Sequence, residues 1–118
     1  MAQPTEEQAE TYDRLVPMLT AAHREMSDLS KKKQDGIVNS LKIRNINRLL
    51  DELLKVLGDD PSRDFIEKLD EDTLPQNSDV VLLLSQWQAA LGQFKRRHYG
   101  RDRATFEDRW FTVENPRS

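Results

Sequence analysis

Cysteine is absent from this chain. That excludes a disulfide framework, a thiolate nucleophile and a cysteine-ligated metal. Glycine occurs four times, and none of the four falls in a phosphate-binding P-loop, a dinucleotide-binding GxGxxG turn or a GxSxG nucleophile elbow. Histidine occurs twice, at His23 and His98. A di-iron bundle site places Glu three residues before each His, and Thr20 and Lys95 stand there instead. A zinc-protease helix needs Glu directly after His and a second His four residues on, where His23 is followed by Arg24 and then Ser27. A calcium loop starting at Asp70 needs Gly at its sixth position, and that residue is Pro75.

Acidic pairs remain, such as Glu6-Glu7, Asp51-Glu52 and Glu107-Asp108. Adjacent residues on a helix point apart, so these pairs read as solvated surface. The expectation is a binding protein rather than an enzyme, with no cofactor and no metal.

Long hydrophobic runs are also missing. The segment Val80 to Phe94 carries no charge in a chain that is 33% Asp, Glu, Lys and Arg, yet its length is short of the ~20 apolar residues that span a bilayer. It must be hidden by protein, not lipid. Val80, Leu84, Trp87, Leu91, Phe94 and His98 recur at steps of 4, 3, 4, 3, 4, which aligns them on one stripe of a helix. Val81, Leu83 and Ala90 widen the stripe, predicting a helix that is central in its bundle. Ser78 or Asp79 can cap its start, and Lys95, Arg96 and Arg97 suit the negative end of its dipole.

Earlier in the chain, Thr5 and Gln8 form a capping-box pattern. Tyr12, Leu15, Leu19, Ala22, Met26 and Leu29 then follow a heptad-like seam, in which Pro17 should kink or split the helix. Lys31 to Lys33 fit its C-terminus, and Asp35-Gly36 is a turn signal. Ile43, Ile46, Leu50, Leu53 and Leu57 form a second seam, stopped by Gly58 and Pro61. Asp60-Pro61 reads as the start of a short helix with Phe65, Ile66 and Leu69 inward. Ala104, Phe106, Trp110 and Phe111 suggest one more amphipathic helix. No run shows the strict alternation of a half-buried strand.

The expected fold is therefore all-α: a single domain over 1–118, built as a mostly antiparallel bundle of four to five helices at about 5–34, 37–57, 61–70, 79–99 and 102–112, with residues 1–4 and 113–118 frayed. The N-terminal sequence is acidic and polar, without the basic and apolar regions of a secretory signal. An intracellular, cytoplasmic location without membrane contact is the corresponding expectation.

Net charge is −3, but it conceals blocks: residues 31–48 sum to +5, 59–79 to −6 and 95–109 to +3. Two functional readings arise. In the first, Trp87, Leu91, Phe94, Trp110 and Phe111 are anchors of an interface, and the chain is a regulatory, adaptor or accessory subunit, or an inhibitor, that packs helices against another protein chain or a second copy of itself. The acidic segment Asp59 to Asp72 would then imitate a charged ligand. The plain alternative for those aromatics is that they are core. In the second reading, the basic stretches 31–48 and 95–103 bind the phosphates of a nucleic acid through Lys31, Lys32, Lys33, Lys95, Arg96, Arg97, Arg101 and Arg103, with Lys42, Arg44 and Arg48 extending the patch if they share its face. A sequence pI near 5.4 weighs against it.

Overall fold

The computed structural model describes residues 2–117. It contains three long helices, α1 (Glu6–Lys32), α2 (Ser40–Leu57) and α3 (Asn77–His98), with a short 3-10 helix at Pro61–Phe65. A two-stranded antiparallel ribbon, β1 (Tyr99–Arg101) and β2 (Asp108–Trp110), follows α3. Two of the five expected helices are thus replaced by other structure.

α1 begins where the capping box places it. The Gln8 amide donates to Thr5 Oγ1 at 3.1 Å, and the Thr5 amide donates to Gln8 Oε1 at 2.7 Å. Pro17 does not split the helix. It lies on the exposed side, so the lost amide bond is offset by the opposite face, where Tyr12, Leu19 and Met26 are buried. α2 starts at Ser40 rather than Ile37 because Asn39 caps it, accepting from the Lys42 amide at 2.9 Å. Ile37 instead bridges Gln76. α2 ends on Gly58, whose φ of +58° is a conformation that side chains resist.

Hydrogen bonds at the helix ends set the direction of packing. Gln8 Nε2 near the start of α1 donates to the carbonyls of Lys55 and Val56 at the end of α2. Tyr12 Oη donates to the Leu91 carbonyl late in α3, whereas His23 pairs with Ser85 one to two turns earlier in that helix. α1 is antiparallel to both neighbours, so α2 and α3 run parallel. Parallel neighbours need a long return, and residues 58–76 supply it.

That return is the main correction to the sequence reading. Asp60 and Pro61 do start a helix, but it stops at Phe65, and Ile66 is extended at φ −120°, ψ 147°. From there the backbone finds its partners in side chains of the two helices. Asn47 of α2 brackets Leu69, donating to its carbonyl at 2.8 Å and accepting from its amide at 2.9 Å. Trp87 of α3 donates its indole N–H to the Glu67 carbonyl at 2.8 Å. With these partners a helical ladder is not required to satisfy a half-buried backbone. Leu69 still points into the core, and Phe65 does not.

The expected helix over 102–112 is likewise corrected to the ribbon. Tyr99 pairs with Trp110, Gly100 with Arg109 and Arg101 with Asp108. Asp102 organises the turn, accepting from the Ala104 amide at 2.7 Å, and Phe106 takes a φ of +61° that no helix allows. The two ends of the chain meet, as the Val113 amide donates to the Pro4 carbonyl at 2.9 Å.

Candidate interaction surfaces

Of the five aromatic and aliphatic residues expected to contact a partner, Trp87, Leu91, Phe94 and Phe111 are buried within the chain. Trp87 has no accessible surface at all. These four are core, and burial removes them from any surface. Trp110 is half-buried in an aromatic cluster, edge-on to Tyr12 at 4.9 Å and to Tyr99 at 5.5 Å, with its indole N–H on Asp13. Lys95 lies 4.5 Å from the centre of the Tyr99 ring, a cation–π contact that occupies this cation internally. Burial first, then the Asp13 charge, push the Tyr12 phenol up to about 12.

What α3 leaves uncovered is the strip opposite its buried stripe. Leu82, Gln86, Ala89 and Gln93 follow steps of 4, 3, 4 and are all exposed, with no charge among them. Leu82 is 62% exposed. Beside this strip the return segment forms an open groove of about 550 Å³, walled by Phe65, Ile66 and Pro61 on one side and Gln86, Ala89 and Gln93 on the other. Phe65 is 82% exposed, the largest exposure of any bulky apolar residue among those described. Leu82 was legible from the spacing, since it is the one large apolar residue out of phase with the inward stripe. Phe65 was not, because its outward position follows from the early end of the 3-10 helix.

The groove is closed at one end by an ion pair. Asp60, fully buried at its carboxylate, meets Arg97, whose side chain is one-third exposed. Asp60 also accepts from the Ser62 amide at 3.0 Å and its hydroxyl at 2.7 Å. Burial pushes this carboxyl up, but the Ser62 bonds and the Arg97 guanidinium outweigh it and hold Asp60 below the usual carboxylate range. Next to it, His98 packs edge-on against Phe94 at 4.9 Å. Burial, and then the Arg97 charge, lower its pKa, with Asp60 opposing.

The two groups give separate acid windows. A lowered histidine pKa means that the unfolded chain takes up a proton before the folded one does, so stability falls as pH drops below about 6.5. The lowered Asp60 contribution is complete above about 4 and is lost only as pH falls further. His98→Gln should flatten the first decline and leave the second, as urea unfolding across pH 3 to 8 will reveal. An unchanged slope between pH 5 and 6.5 would rule out His98 as its source.

The acidic segment Asp59 to Asp72 is only partly free to imitate a ligand. Asp60 is consumed by Arg97, and Asp70 accepts from the Asp72 amide at 2.9 Å. Asp59, Asp64, Glu67 and Glu71 remain exposed along the return segment.

The cationic residues do not form one footprint. Lys31, Lys32 and Lys33 end α1 beside the start of α3, where Asn77 Nδ2 donates to the Lys33 carbonyl at 2.9 Å. Lys95, Arg96 and Arg97 occupy the last turn of α3, and Arg101 and Arg103 follow its end. The 22 residues of α3 separate the two groups by about 30 Å at 1.5 Å per residue. Among the described residues, no three of His, Asp and Glu converge as metal ligands, and no helix is long and apolar enough to cross a membrane.

Compared with protein-family models, curated proteins and solved structures, the chain matches none.

Proposed function

We propose that this chain is a non-catalytic protein-interaction module, and that its docking surface is the groove between the return segment and α3. The observation that carries this reading is the largely exposed Phe65 in the wall of the groove, facing a charge-free strip of α3 that continues to the exposed Leu82. An exposed helix face in a chain one-third charged ordinarily carries ions, and a contiguous apolar surface on a small protein marks an interaction site.

The occupant that fits is an amphipathic helix of another protein. The strip from Leu82 to Gln93 is about 17 Å long, room for three turns whose apolar residues recur at i, i+3 or i+4, and i+7. Phe65 would insert between those turns as the central anchor. The return segment that walls the groove also carries the exposed Asp59, Asp64, Glu67 and Glu71, so a helix with basic residues on its flanks is favoured, and the charges speed encounter more than they strengthen the complex.

Affinity capture of the tagged chain from its native extract, with and without nuclease, tests this reading. The expected result is a stoichiometric protein partner that survives nuclease and is lost from Phe65→Asp. Equal capture by Phe65→Asp, or capture that vanishes on nuclease treatment, would refute it.

A further inference from the structure

A second surface lies beyond the groove, where the ribbon meets the C-terminal tail. Arg101, Arg103 and Arg117 line a cavity of about 200 Å³ whose remaining wall is the buried ring of Phe111. One arm of the arrangement is held in place. Arg109 spends its guanidinium on holding the tail: Nε donates to Asp102 at 2.6 Å, Nη1 to the carbonyls of Trp110 and Asn115, and Nη2 to that of Pro116. The tail so fixed lays Arg117 over Phe111, 4.2 Å from the ring centre, with Nη2 donating to the Arg97 carbonyl in the last turn of α3.

Acidic neutralisation reaches one of these three cations. Asp102, between Arg101 and Arg103 in sequence, is turned to Arg109 and the Ala104 amide. Asp108, the cross-strand partner of Arg101, forms an ion pair with it at 3.6 Å, so Arg101 is partly neutralised. Among the described residues, neither Arg103 nor Arg117 has an acidic partner. Guanidinium groups lining one cavity repel one another unless an anion joins them, and their planar forks match the oxygens of a phosphoryl group.

We propose that Arg101, Arg103 and Arg117 form a binding site for a single phosphomonoester dianion. A count of one group suits the cavity, whose volume of about 200 Å³ lies below the ~300 Å³ at which sites for whole small molecules begin. An extended polyanion is disfavoured by the same count and by the chain's net charge of −3.

The test is an NMR titration of the labelled chain with O-phosphoserine, with serine as control, at matched ionic strength. Saturable shifts at Phe111, Gly100 and the arginine side chains are expected, absent with serine. Binding should strengthen as pH rises through about 6, where the second proton leaves the phosphate. Arg103→Gln and Arg117→Gln, both at exposed positions that the core does not need, should each weaken it about tenfold. Arg44→Gln, near the start of α2, should not.

A phosphoserine peptide that binds more tightly than the free amino acid would identify a phosphorylated protein as the source, and equal binding would identify a free phosphorylated metabolite. No saturation at millimolar concentration, or shifts that persist unchanged in Arg103→Gln, would overturn the proposal. So would tighter, steeply salt-dependent binding of a single-stranded oligonucleotide, which presents diesters.

Discussion

Trp87→Ala is expected to lower the unfolding free energy by about 4 kcal/mol, the middle of the range for deleting a buried aromatic. Two losses combine. The side chain is fully buried among core residues of all three helices, so its removal leaves a cavity that rigid helices cannot close. It also leaves the Glu67 carbonyl without its indole donor, and an unpaired half-buried acceptor costs a further ~1 kcal/mol. For a domain whose whole stability is on the order of 5–15 kcal/mol, the melting temperature should fall by roughly 15 °C. Trp87→Phe separates the contributions, because it retains most of the volume and loses the donor. If Trp87→Phe melts with the wild type while Trp87→Ala does not, the indole bond is unimportant to the return segment.

The second large effect is on binding rather than folding. The double variant Phe65→Asp, Leu82→Lys should lose about 30-fold or more in partner affinity, corresponding to the ≥2 kcal/mol that truncating a central anchor removes. Its thermal stability should stay within about 0.5 kcal/mol of the wild type, as for other exposed positions. The combination is diagnostic. Loss of affinity with loss of stability would mean that Phe65 supports the fold, and retained affinity would place the interface elsewhere. Self-association is checked in the same preparation, since a dimer through this groove would dissociate in the double variant and be visible by sedimentation.

The helices were legible because their determinants are local. The Thr5 and Gln8 pair, the seam Ile43 to Leu57 with Gly58 after it, and the charge-free stripe of α3 each specify an element with residues inside or beside it. Ends agree within about two residues except at Ile37, where pairing with Gln76 competes with the helix start.

The return segment was illegible for the opposite reason. Its extended backbone is held by Asn47 and Trp87, each about 20 residues away in sequence. Nothing local distinguishes Ile66 to Leu69 from a third helical turn. The ribbon escaped because three-residue strands are too short to show alternation, and the aromatic spacing of Phe106, Trp110 and Phe111 imitates a helix.

The same distinction governs the candidate surface. Trp87, Leu91 and Phe94 look like anchors in sequence, yet they repeat in phase with Val80 and Leu84 and are buried with them. The informative residue was the one out of phase, Leu82. Its companion Phe65 became visible only with the tertiary path of residues 58–76. The basic residues likewise carried no message about grouping until the helix directions separated Lys31 to Lys33 from Lys95 to Arg103.

The most direct test of the interface is site-specific photo-crosslinking in living cells, with a benzophenone amino acid in place of Phe65 and, as a control, at the exposed Leu41 of α2. A single adduct from position 65, mapping to a helix with basic flanks in one partner and absent from position 41, is the result expected of a docking groove. Equal adducts from both positions, or none from position 65 while the partner is still captured, would contradict it.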